Sequence, residues 1–193
     1  MNNPEYVKIG DKKYKINTDF RVAIECNKIA EDKDISNLER TMAIIYKLYG
    51  DEGLDAPQDY EKLLELGLKY LSMGKEIEKS DEEPDMDFEQ DMDYIYTSFM
   101  SDYNIDISKE KMHWWTFMNL MNGLSNSELG NCCVLNRIRN LRNFDVSTIK
   151  DSKERQKMAK AKEMVALKKY KKENHLTKEQ EESMERLNKI LGL

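Results

Sequence analysis

The sequence predicts a mainly α fold: a compact helical domain with a small amino-terminal β-hairpin and a charged carboxy-terminal helical extension. Three observations lead there. Apolar residues recur at helical spacing in one segment after another, only the first sixteen residues alternate with the period of a strand, and the charged residues gather into an acidic and a basic block. In 193 residues, 39% apolar against 35% charged argues for a modest core and much solvated helix.

Tyr6-Val7-Lys8-Ile9 and Lys13-Tyr14-Lys15-Ile16 alternate about Gly10-Asp11-Lys12, a short hairpin signal. A lone hairpin is marginal, so its Tyr and Ile face is expected to pack on the helices next in the chain. Asn17-Thr18-Asp19 offers a cap for a helix that begins with Phe20, Ala23, Ile24 and Asn27. Ser36-Asn37-Leu38-Glu39 is a capping box, opening a second helix that turns Leu38, Met42, Ile45 and Tyr49 inward and stops at Gly50. A third helix is expected over 57–74, with Pro57 in its first turn and Tyr60, Leu63, Leu64, Leu68 and Leu71 inward.

From Glu76 to Asp93, ten carboxylates stand against Lys79 alone. The first part, about 75–87, reads as an exposed linker, because Pro84 and a dearth of apolar residues oppose a packed helix. Asp85, Asp87, Glu89, Asp91 and Asp93 alternate, yet the glycine and terminal glutamate of a calcium loop are missing, so no metal is expected. The apolar period resumes at Phe88, Met92, Ile95 and Phe99, with Tyr96, Met100 and Tyr103 on the adjoining flank. Asn104 suits a left-handed turn at the end of that helix.

Ser108 is then expected to cap a Trp-rich helix over 109–121. Trp114, Phe117, Met118 and Met121 share one face of it, Met112 and Trp115 extend that face, and His113, Thr116, Asn119 and Asn122 leave a thin polar seam. Such a helix must be buried nearly all round, by its own domain or by another chain. His113 reads as a structural histidine bonded to a carbonyl. Gly123 closes the helix, and Ser125-Asn126-Ser127-Glu128 is a second capping box, opening a helix with Leu129, Cys132, Cys133, Leu135 and Ile138.

The core domain is thus expected over 1–146 and a charged helical tail over 147–193. Ten cations face four acids between Lys150 and His175, beside a narrow stripe of Met158, Ala161, Met164, Val165 and Leu167. Thr177-Lys178-Glu179-Gln180 offers a cap for a last helix with Met184, Leu187 and Leu191. The tail is a solvated helix or a basic arm for an acidic partner, and its charge pairs with the acidic block inside one chain or links copies. Deletion after about Val146 is expected to leave the core intact.

Motifs of catalysis are missing. The two histidines, His113 and His175, belong to no HExxH, and there is no CxxC pair, no GxSxG elbow and no glycine-rich phosphate loop. Neither enzyme nor cofactor is expected. An odd number of cysteines, Cys26, Cys132 and Cys133, suggests free thiols. No apolar stretch is long enough for a membrane span, and the start lacks a signal peptide pattern, which points to the cytoplasm. A net charge of −6 disfavours nucleic acid.

Phe88-Glu89-Gln90-Asp91-Met92-Asp93-Tyr94-Ile95-Tyr96-Thr97-Ser98-Phe99, continued by Asp102 to Asp106 and followed by Met112-His113-Trp114-Trp115-Thr116-Phe117 and Asn122-Gly123-Leu124, resembles the bacteriophage gene-product-fifteen family. The resemblance is strong over the middle third and weaker over 17–49. It departs at Asn104, where the family tends to have glycine, and at Met92, where it has a small residue; the tail from Ser147 has no evident counterpart. It implies a tail assembly chaperone, acting in the host cytoplasm, that binds and solubilises the tape-measure protein and gives way to the tail tube protein. On this reading the partner-binding residues are Tyr96, Met100, Tyr103, Trp114, Trp115, Phe117 and Met118, and a homo-oligomer is compatible with it. The rival readings are a structural component retained in the virion and a nucleic-acid-binding accessory protein.

Overall fold

The computed structural model describes residues 3–76, 84–126 and 132–168. Part of the acidic linker, Ser127 and Glu128 of the second capping box, Leu129, and the last expected helix lie outside them. Strands β1 (Tyr6–Ile9) and β2 (Lys12–Lys15) pair antiparallel with Val7 opposite Tyr14, turning at Gly10, whose φ of 58° suits glycine. Tyr14 is fully buried; its hydroxyl donates to the Asp59 carboxylate at 2.5 Å and its ring meets Tyr49 edge-on. The hairpin is therefore anchored on the helices.

Helix α1 (Phe20–Glu31) starts at Asp19, whose carboxylate accepts from the Arg21 amide, and buries Phe20, Ala23 and Cys26. Helix α2 (Asn37–Leu54) has the expected capping box: Ser36 Oγ accepts from the Glu39 amide, and the Glu39 carboxylate from the Ser36 amide. Gly50, at φ 65°, breaks it, and one more turn completes it. Its buried face differs from the expected one. Ile44, Ile45, Leu48 and Tyr49 are buried, whereas Leu38 and Met42 are 63% and 38% exposed. Leu38, Met42 and Tyr46 lie on the i, i+4, i+8 row, which drifts about 40° per step round the helix and so leaves the stripe centred on Ile45 and Leu48.

A 3₁₀ turn (Pro57–Asp59) leads into α3 (Tyr60–Leu71), which buries Leu63, Gly67, Tyr70 and Leu71. Gly67 allows close approach: a Cβ there would lie 2.8 Å from Leu48 Cδ1. Helix α4 (Met92–Tyr103) buries Ile95, Ser98 and Phe99 and ends at Asn104 in the left-handed conformation, φ 55°.

Helix α5 is shorter than expected, Trp114–Asn122, and His113 rather than Ser108 caps it. Ser108 instead bonds the Asp106 carboxylate. The cause is tertiary: Phe20 N donates to Met112 O and Trp114 N to Thr18 O, and this bridge between Asp19 and His113 holds the chain extended up to Trp114. The same happens before α6 (Val134–Asn143). Cys132 pairs with Asn126 across a bridge and Cys133 Sγ caps the helix, so both cysteines precede it. After a 3₁₀ turn (Val146–Thr148) comes α7 (Ser152–Val165), with no buried residue.

Phe117 sits at the centre of the core, stacked on Phe20 of α1 at 4.3 Å and Phe99 of α4 at 5.2 Å. Packing runs outward from it in two directions, through α1 to α2 and α3, and through α4 to α6 and α7. The acidic segment is not wholly solvated. Asp85 pairs with Arg139, and Asp91, fully buried, receives both terminal nitrogens of Arg142 at 2.6 and 2.7 Å. Arg142 also donates to Asp85 O and Val165 O, Gln90 Nε2 donates to Ala166 O, and Leu167 is buried, so the chain to 168 is tied back to the domain.

Candidate partner-binding surface

The seven residues expected to meet a partner divide into three groups. Trp114 and Phe117 belong to the core, 2% and 0% exposed, with Trp114 Nε1 donating to Leu71 O at 2.9 Å. Folded, the chain offers neither to a partner, because the face they occupy is the one that joins α5 to α1 and α4. Trp115, Met118 and Tyr103 are half-buried. Trp115 stacks on Tyr70 and donates from Nε1 to Tyr70 O at 2.9 Å; Tyr103 donates to Leu120 O at 2.8 Å. Tyr96 and Met100, one turn apart on α4, are each 37% exposed. Of the seven, only these two form an exposed apolar flank.

A larger surface lies on α2. Leu38, Met42 and Tyr46 make an apolar row two turns long, and Tyr46 is 49% exposed. Beside Tyr46 an open groove of about 700 Å³ runs between the hairpin, α1 and α2, lined by Ile16, Thr18, Val22 and Tyr49 among others. At its rim Lys47 pairs with Glu25 at 2.6 Å, and the carboxylate holds the ammonium above its ordinary pKa. The sequence pattern placed Leu38 and Met42 on an inward face with Ile45 and Tyr49 and did not single out Tyr46; the structure turns Leu38, Met42 and Tyr46 outward.

The exposed rows offer apolar packing. His113 has both ring nitrogens engaged: Nδ1 accepts from the Trp115 amide, which places the proton on Nε2, and Nε2 donates to Pro4 O at 3.0 Å. This is the carbonyl-bonded histidine expected. The three cysteines are free thiols, and burial pushes that of Cys26 up to about 12, so it is held protonated. Among the described residues no group of three or more His, Cys, Asp or Glu side chains is arranged to hold a metal ion. No helix among them is long and apolar enough to cross a membrane.

A family described as Bacteriophage Gp15 protein matches the chain over residues 2–167. No curated protein and no solved structure matches. The matched span includes α7 and Leu167, the part of the tail for which the motif resemblance offered no counterpart.

Proposed function

Because the chain belongs to the bacteriophage Gp15 protein family, we propose that it is a tail assembly chaperone, one that covers apolar stretches of the tape-measure protein in the host cytoplasm until tube subunits replace it. The observation that supports this most is the exposed row Leu38, Met42 and Tyr46. A long helical chain with apolar stripes aggregates before it is enclosed. An apolar row on a helix is the surface that masks such a stripe, by helix packing and without sequence-specific polar contacts. Methionine and tyrosine suit many related segments, since methionine adapts its shape and tyrosine offers apolar area with a polar tip.

The magnitudes favour transient capture. Covering three partly exposed side chains is worth about 1 kcal/mol each, and the Tyr96 and Met100 flank adds a second such patch. Part of that gain is consumed by ordering the partner. A chaperone that must leave needs moderate affinity of this kind. The role is binding, with no catalytic step assigned.

Co-expression with a tape-measure protein tests the proposal. The tape-measure chain should remain in the soluble fraction and co-purify, and mass spectrometry of finished particles should find this chain missing. Its retention in particles would assign it to the virion structure instead.

A further inference from the structure

The outer face of α7 takes no part in packing its own domain. Lys153, Lys157 and Lys160 stand at i, i+4 and i+7, so they share one side of the helix, and Met164, 86% exposed, continues the row one turn further. The opposite side, with Met158, Ala161, Lys162 and Val165, is half-buried, and Lys162 donates to Phe144 O there. The row therefore points away from its own domain. None of the three lysines has an ion-pair partner among the described residues.

The chain carries a matching surface elsewhere. Between 51 and 65, six carboxylates stand against Lys62 alone. Asp59 is occupied by Tyr14 and Glu65 by Lys62, but Asp51, Glu52, Asp55 and Glu61 are exposed at the corner between α2 and α3 with no ion pair among the described residues. This corner and α7 sit at the two ends of the packing order, α3 to α2 to α1 on one side of the core and α4 to α6 to α7 on the other. Among the described residues no ion pair joins the corner to α7 of the same copy.

We infer that copies of this chain associate head to tail, the Lys153, Lys157, Lys160 and Met164 row of one copy seating on the acidic α2–α3 corner of the next. Charge complementarity selects this occupant. The chain as a whole carries a net charge of −6, so a nucleic acid meets a repulsive long-range field, whereas a second copy brings an acidic corner of the opposite sign. A contact between two different surfaces is heterologous and adds copies one after another unless its rotation closes a ring. Each ion pair is exposed and weak, which makes the association salt-sensitive and leaves Met164 as the apolar contribution. This association is independent of tape-measure capture, and either can fail alone.

Sedimentation velocity on the full chain tests the inference. At about 20 mM salt the average mass should rise with protein concentration, and at about 0.5 M salt it should fall back to the monomer. Lys153→Glu with Lys157→Glu and Lys160→Glu should weaken association about tenfold or more, as should Glu52→Lys with Asp55→Lys and Glu61→Lys. Mixing the two charge-reversed proteins should restore it, and circular dichroism verifies that both are folded. A monomer at every concentration in low salt overturns the inference, and so does association that both reversals leave unchanged. If the α7 reversal abolishes binding to a duplex DNA probe while mass is unaffected, the row belongs to nucleic acid.

Discussion

Among the described residues Arg142 makes four hydrogen bonds: two to the Asp91 carboxylate, one to Asp85 O and one to Val165 O. Its planar fork satisfies a buried carboxylate and two carbonyls from separate segments at once, which a lysine cannot do. Asp91→Ala leaves the guanidinium buried without its counter-charge and should cost about 3 to 5 kcal/mol, read from the urea midpoint. Alkaline pH probes other buried groups. Burial raises the pKa of Cys26 from 9.0 to about 12 and also raises Tyr49 and Tyr70. Between about pH 9 and 12 the unfolded chain releases protons that the folded chain retains, so stability is full below that window and falls through it. Equilibrium unfolding from pH 8 to 11 should show this fall, and a flat profile would contradict it. The sequence did not single out Asp91, one acid among ten, because its burial depends on an arginine 51 residues away.

Among the elements, those set by local chemistry were legible. The hairpin about Gly10, the Ser36 capping box and the Asn104 turn each arise from residues a few positions apart, and each stands where it was expected. The starts of α5 and α6 were not legible, because isolated bridges, one of them spanning Asp19 to His113, hold the preceding residues extended and override the nearby cap signals. The Leu38 row escaped for a related reason: periodicity gives a face but not where neighbouring helices end. Gly67 also had no signal in the sequence, although the α2–α3 contact depends on it. Gly67→Ala should gain up to about 1 kcal/mol in helix propensity yet lose about 1 to 3 kcal/mol through the clash with Leu48. A lowered melting temperature is expected, and a raised one would show that α3 can shift.

At the scale of the molecule, the chain to 168 belongs with the domain, since Leu167 is buried, Val165 O accepts from the buried Arg142, and the family match runs to 167. Deletion after Val146 should therefore destabilise the fold rather than leave it intact, with a lower urea midpoint as the readout. The fold turns Trp114 and Phe117 inward and leaves apolar rows exposed on α2 and α4, so the proposed capture would fall to these rows of the folded chain. The most direct test is co-expression of the tape-measure protein with the wild-type chain or with a variant carrying Leu38→Asp, Met42→Asp and Tyr46→Asp, its folding verified by circular dichroism. The wild type should hold the tape-measure protein in the soluble fraction, and the variant, equally folded, should let it precipitate; equal capture by both would contradict the assignment of capture to this row, and precipitation with both would contradict the chaperone itself.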